Sequence, residues 1–211
     1  MFIDGTIREY VDKASAGTPT PGGGSVSALA GALGATMACM ASNFTIGKKK
    51  FKDVEPRVRE ILQRIESCRE SLLTLTEEDS RAYERLSVAL ALPRNTDEEK
   101  AAREVAVQEG VKEAMDVPLR AVRVCRDMLN DLATLADIAN PNLISDVGVA
   151  AILAEAALRG AELNVAVNLV YLKDAAQTAA VRDELASART SASERLREVS
   201  EKVSRALSAK A

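Results

Sequence analysis

Histidine is absent from all 211 residues, so the chain lacks the commonest general base and the commonest metal ligand. Any proton transfer falls to carboxylates, lysines, tyrosines, amides or the backbone. One carboxylate stands out by position. Between residues 54 and 92, Val58, Ile61, Ile65, Cys68, Leu72 and Leu75 recur at helical spacing, and the stripe continues through Ala82, Tyr83, Leu86 and Leu90. Asp79 falls in that stripe, where the spacing predicts burial. An acid so placed caps or pairs structurally, or has its pKa raised by desolvation, or touches a polar ligand. Asn164 and Asn168, at i and i+4, share an otherwise apolar helical face, and buried amides also need partners from another helix or from a ligand.

Two further stretches could hold an anion. Pro19-Thr20-Pro21-Gly22-Gly23-Gly24-Ser25 is a rigid turn followed by a flexible loop, with Ser25 expected to cap the helix that follows. Free N–H groups of a glycine loop at a helix start can cradle an anion, and the same glycines also serve tight turning and close packing. Neither a P-loop nor a dinucleotide fingerprint fits, because no Gly-Lys-Ser/Thr follows at the required spacing and no apolar strand precedes. Gly47-Lys48-Lys49-Lys50-Phe51-Lys52 is the densest positive run. It is either a solvated face or a landing place for an anionic ligand.

The elements that position these residues are helical throughout. Proline is scarce after Pro21, β-branched runs are nearly absent, and Ala, Leu, Glu, Arg and Lys dominate. The pattern predicts an all-α protein, a single bundle of about six helices occupying residues 1–211 as one domain. The first helix is expected over 6–16, with Ile7, Tyr10 and Val11 on its apolar face. The second runs from Ser25 to about 43–47. It is rich in Ala and Gly, so Gly31 and Gly34 predict a buried central helix against which others pack closely. A long helix follows over 54–92. The fourth starts near Glu98, capped by Thr96 or Asp97 with Glu99 completing a capping box, and runs to about 137 with a kink expected near Pro118, which lacks the N–H that an interior turn needs. The fifth, from 147 to 172 with Ser145 or Asp146 as cap, repeats the small-residue pattern through Gly148, Ala150, Ala154, Ala157 and Gly160. The sixth spans about 178–208.

Composition narrows the function classes. A net charge of −3 and only 3% aromatic residues, with no Trp, speak against nucleic-acid binding and base stacking. No apolar run of about 18 residues escapes glycine and small polar interruptions, so no membrane span is expected. Three widely spaced cysteines, Cys39, Cys68 and Cys125, form no CxxC pair and suggest neither a disulfide framework nor a zinc site. The N-terminus carries no secretory pattern, which leaves the cytoplasm as the expected location.

Two motifs, 19-PTPGGGS-25 with its small-residue helix and 142-NLISDVGVA-150, resemble the cyclodeaminase/cyclohydrolase family of all-helical folate enzymes across essentially the whole chain. The stretches 45-TIGKKK-50, 92-LPRNTDEEKAAR-103 and 116-DVPL-119 are most similar to its stand-alone methenyltetrahydrofolate cyclohydrolase branch. That resemblance implies a homodimeric bundle in one-carbon metabolism that binds tetrahydrofolate derivatives, polyglutamylated ones included, without metal or redox cofactor. The reaction it implies is hydrolysis of 5,10-methenyltetrahydrofolate to 10-formyltetrahydrofolate. The sister reaction is ammonia-releasing cyclodeamination of the 5-formimino compound; a non-catalytic helical interaction protein is the competing class. Given that chemistry, Asp79 and Asp146 are nominated as catalytic acids, one handling water and one holding the pterin edge, with Lys48 as a cation near the reacting centre or the folate carboxylates. Lys49 and Lys50 suit the glutamate tail. Gly22, Gly23, Gly24, Ser25, Asn43, Asn142, Ser145 and Asn164 complete the expected substrate-binding set.

Overall fold

The computed structural model describes residues 2–209. Six α-helices, α1 (Ile7–Ser15), α2 (Gly23–Asn43), α3 (Glu55–Leu90), α4 (Asp97–Ile138), α5 (Ile144–Tyr171) and α6 (Ala175–Ser208), are accompanied by short 3-10 turns at Phe2–Asp4, Lys49–Phe51 and Pro141–Leu143. No strand occurs among the described residues.

Small residues set the packing. A Cβ added to Gly31 would come within about 3 Å of Leu72 on α3 and Cys125 on α4, and one at Gly34 would lie 3.0 Å from the Ala150 carbonyl on α5. The α2 backbone is therefore drawn in on two sides, and its Ala28, Ala32, Ala35 and Ala38 are buried against neighbours. Gly34 lies beside Ala150 and Gly23 beside Asn164, so α2 and α5 run antiparallel. Ser25 meets Thr76 while Gly31 meets Leu72, which makes α3 antiparallel to α2 as well. Helices α2 to α5 form an up-and-down ring, and α6 lies across α4 and α5, antiparallel to α5 through Gly148–Val203 and Arg189–Glu162. Leu129, Leu132, Val122, Ile61 and Ile65 fill the centre.

Helix ends follow local chemistry, sometimes against expectation. Thr6 and Thr96 each make a full capping box, with Glu9 and Glu99. The fourth helix is continuous through Pro118. Ser25 is not a cap: α2 starts earlier, with Gly22 in the capping position, because the Ser25 hydroxyl is committed to long-range bonds. Neither Ser145 nor Asp146 caps α5. Asn140 caps the preceding 3-10 turn by accepting from the Asn142 N–H, and the turn feeds directly into α5 at Ile144. The sixth helix begins three residues before the expected Thr178, because Asp174 accepts from the Gln177 N–H. On α1 only Tyr10 is buried; Ile7 and Val11 remain exposed.

The second helix meets a membrane-span criterion by length and composition, and more than half of it is buried inside the bundle. Its remaining side is open. Val26, Leu33 and Phe44 are exposed there.

Candidate functional site

A cavity of about 540 Å³ opens where the start of α2 meets the middle of α3 and the end of α5, lined by residues that include Gly22, Gly23, Asp79, Tyr83, Asn164 and Asn168. Its floor is apolar, from Leu86, Val107 and Val111, and Val167 and Tyr171 reach its rim. Among the described lining residues Asp79 is the only charged group.

The local sequence holds Asp79 in place. Its Oδ2 accepts the Ser25 N–H at 2.9 Å, at the start of α2 where backbone donors have no helical acceptor. Its Oδ1 lies against Gly24, where an added Cβ would sit 2.1 Å away, so only glycine lets the carboxylate approach this backbone. Burial raises the Asp79 pKa above the ordinary carboxylate value, and the Ser25 N–H opposes that shift. The result is a half-buried carboxylate, less enclosed than its place in the apolar stripe predicts because it faces the open cavity, with one oxygen anchored.

A second layer fixes the loop. The Ser25 Oγ donates to the Thr76 carbonyl at 2.8 Å, which commits its single proton. Tyr10 must then donate its hydroxyl proton to Ser25 Oγ at 2.9 Å. Burial, the largest influence on the Tyr10 phenol, pushes its pKa up and keeps it a donor. Tyr10 on α1 thereby pins the glycine loop to α3.

Asn164 and Asn168 face the same cavity. The Asn164 amide donates to the Gly160 carbonyl, while Asn168 donates to the carbonyls of Ala114 and Asn164. Both carboxamide protons of Asn168 are thus engaged, leaving Oδ1 as its acceptor. Asp79 Oδ1 and this amide oxygen are suited to a ligand edge rich in N–H donors.

The expected site residues separate into two groups. Gly22, Gly23, Gly24, Ser25, Asp79 and Asn164 assemble at one end of the bundle. Asn43, Lys48, Lys49, Lys50, Asn142, Ser145 and Asp146 lie at the other, where the Asn140 N–H donates to Thr45 Oγ1 and its side chain reaches the Phe44 carbonyl. About 30 Å of α2 separates Gly23 from Asn43, and about 27 Å of α5 separates Asp146 from Asn164. Within one chain the Asp79 cavity therefore contains neither Asp146 nor Lys48. Asn43 and the three lysines are exposed, and Lys48 and Lys49 form no ion pair among the described residues. Tyr83, Asn168 and Tyr10 are site residues that the sequence reading did not assign. For Tyr83 the signal was its i+4 spacing from Asp79; for Asn168 it was the shared amide face.

The fold and the cavity define a class: a helical bundle with an apolar cleft that presents one half-buried carboxylate and two carboxamides. Comparison with known proteins gives the particular family. The family model described as Formiminotransferase-cyclodeaminase matches residues 6–187. The chain is 44% identical over 171 residues to a methenyltetrahydrofolate cyclohydrolase of Methylorubrum extorquens, covering 81% of this chain and 82% of that one. It is 34% identical to the formimidoyltransferase-cyclodeaminase of Rattus norvegicus over 82% of its own length, which is 32% of that longer protein. The solved formiminotetrahydrofolate cyclodeaminase of Thermotoga maritima superposes with a TM-score of 0.88 at 29% identity, over 98% of this chain and 100% of that one. The chain belongs to the formiminotransferase-cyclodeaminase family.

Proposed function

We propose that this chain hydrolyses 5,10-methenyltetrahydrofolate to 10-formyltetrahydrofolate in one-carbon metabolism, with the Asp79 cavity as the reaction centre. The observation that carries the reading is the 44% identity to a methenyltetrahydrofolate cyclohydrolase over four-fifths of both chains; the cyclodeaminase relatives are more distant. The cavity chemistry supports it. The substrate's N–C–N carbon is already cationic, so the protein has to deliver water, remove its proton and return a proton to the leaving ring nitrogen. No metal or redox cofactor is required for such a step.

In this reading water adds to the methenyl carbon as Asp79 takes its proton, giving a tetrahedral carbon bonded to both nitrogens. N5 then takes that proton from Asp79 as its bond to the carbon breaks, the hydroxyl oxygen loses its remaining proton to solvent as it becomes a carbonyl, and the formyl group stays on N10. A raised pKa suits Asp79 to carry that proton between steps. The Asn168 amide oxygen receives N–H donors of the pterin, and Gly22 and Gly23 line the loop side. The substrate's glutamate tail, single or extended, is anionic and needs cations, for which Lys48, Lys49 and Lys50 are the candidates. Asp146, Asn43, Asn142 and Ser145 belong with those lysines rather than with Asp79. The working form is a homodimer in the cytoplasm.

The test is the absorbance of 5,10-methenyltetrahydrofolate in a buffer where spontaneous hydrolysis is slow, with a chelator present, beside an ammonia assay on 5-formiminotetrahydrofolate. Accelerated loss of the chromophore without ammonia release supports the cyclohydrolase. Ammonia release assigns the cyclodeaminase reaction instead, and silence in both removes the enzymatic reading.

A further inference from the structure

The Asp79 cavity has a polar inner end, an apolar middle and a cation just beyond its outer end. On α3 its wall runs from Asp79 through Tyr83 and Leu86 to Leu90, about 16 Å of helix. The antiparallel α4 lines the same length with Ala114, Val111 and Val107. Asp79 and Asn164 lie at the glycine loop, while Leu90, Val107 and Tyr171 mark the opposite end.

Arg103 stands one turn beyond Val107. Arg103, Val107 and Val111 are spaced i, i+4 and i+8, so the arginine continues the α4 face that lines the cavity. Its guanidinium donates from Nε (3.3 Å) and Nη2 (3.0 Å) to the carbonyl of Leu90, the last residue of α3, where a helix leaves carbonyls without intrahelical donors. That contact uses one edge of the fork and fixes its plane. A guanidinium has five N–H groups, and the Nη1/Nη2 edge remains, with the parallel pair of donors that grips a carboxylate. The neighbouring cations are already paired: Lys173 with Glu104 at 2.6 Å, Lys100 with Asp97 at 2.8 Å and Lys112 with Asp174 at 3.8 Å. Arg103 has no carboxylate partner among the described residues. A helix cap needs only a donor; a fixed fork with its outer edge unpaired is more than a cap requires.

We propose that Arg103 binds a carboxylate of the ligand this cavity takes. That ligand is elongated, with an N–H-rich head at Asp79, a flat apolar middle against Leu86 and Val111, and an anionic end at Arg103. The reverse orientation would set its carboxylate against Asp79, so charge fixes the direction. The ligand's identity rests on the proposed folate reading, in which these parts are the pterin, the aminobenzoyl ring and the first glutamate. The group bound is then the α-carboxylate, which mono- and polyglutamylated forms share, whereas Lys48 to Lys50 are assigned to the extended tail.

The test compares substrates with and without the glutamate. Arg103→Met should raise KM for 5,10-methenyltetrahydrofolate about tenfold at near-constant kcat. It should leave KM unchanged for 5,10-methenyltetrahydropteroate, which lacks the glutamate. Arg103→Lys keeps the charge and a donor for Leu90 but not the fork, and should show a smaller rise for the first substrate only. Equal losses on both substrates would make Arg103 a cap of α3 and overturn the proposal, as would a KM unchanged on both.

A fragment decides the site apart from catalysis. Titrated into the full chain and followed by ligand-observed NMR, p-aminobenzoyl-glutamate should bind wild type more tightly than Arg103→Met, while p-aminobenzamide binds the two alike. Binding of the glutamate fragment that is independent of Arg103, or absent, overturns the carboxylate site. If wild type hydrolyses no methenyltetrahydrofolate while the fragment still depends on Arg103, the hydrolase reading fails and the carboxylate site stands.

Discussion

The two ends of the α2/α5 pair are built by opposite means. At the Asp79 end a carboxylate is half withdrawn from water, anchored to the Ser25 N–H and pressed against Gly24, with Tyr10 and Thr76 locking the loop behind it. At the Lys48 end the charged groups are exposed, and the order lies in the backbone: Asn140 reaches back to Thr45 and Phe44 and ties the α5 approach to the α2 exit. The first end holds one carboxylate in a fixed geometry beside the cavity. The second presents exposed cations on a fixed platform, a geometry that would suit a flexible anionic tail. A fixed acid and a set of long, solvated bases contribute differently to a reaction, one through turnover and the other through binding.

Substitutions can sharpen or break that contrast. Asp79→Asn has the largest expected effect: turnover falls by about 10²–10⁴-fold, the usual contribution of a positioned base. The same change should stabilise the fold at neutral pH. Burial raises the Asp79 pKa in the folded chain, so the folded state holds the proton more tightly than the unfolded one. That contribution is fully present below the unfolded value of about 3.9 and is lost as pH rises through the folded value. Thermal melts should therefore show Asp79→Asn more stable than wild type near pH 7 and equal to it near about pH 3. A variant less stable at neutral pH would argue that Asp79 is a structural acid.

Gly24→Ala comes next. Its new methyl would occupy the place of Asp79 Oδ1, so the carboxylate must move; a stability loss of about 1–3 kcal/mol should accompany a loss of activity comparable to that of Asp79→Asn. Activity retained in Gly24→Ala would mean that the placement of Asp79 does not matter. Tyr10→Phe removes one buried hydrogen bond from the loop, for about 1 kcal/mol in a denaturant melt, with turnover reduced less than in either variant above. Lys49→Ala should be the mildest, raising KM for a polyglutamylated substrate while leaving kcat unchanged. An equal effect on mono- and polyglutamylated substrates would detach Lys49 from the tail.

Much of this arrangement is legible in the sequence because helices translate spacing into faces. Asp79 lies in the apolar stripe of residues 58–90, and that periodicity is enough to single it out; the capping boxes of Thr6 and Thr96 are equally local. Ser25 shows where such reading stops. Its type and place suit a cap, but the hydroxyl bonds Tyr10 and Thr76, 15 and 51 residues away, and no local pattern encodes that choice. The α5 start shows it again, since a 3-10 turn capped by Asn140 replaces a Ser145 or Asp146 cap. The division of the site residues is of the same kind. The folate resemblance nominates Asp79 and Lys48 together, and only the docking of Asp79 at the start of α2, with Lys48 beyond its end, puts them at opposite ends. Glu77 is a further case: it is buried and accepts the Ile3 N–H, which ties the N-terminal turn to α3 and leaves no trace in the periodicity.

The account turns on the Asp79 end being where the bond is made and broken. The decisive measurement is the pH dependence of methenyltetrahydrofolate hydrolysis, followed by loss of absorbance, for wild type and Asp79→Asn side by side. The wild-type kcat/KM should rise with pH through a group titrating above the value of an ordinary aspartate, the direction in which burial shifts Asp79, and the variant should lose that limb together with most of its rate. A variant that hydrolyses the substrate at the wild-type rate with the same limb would place the chemistry elsewhere in the molecule.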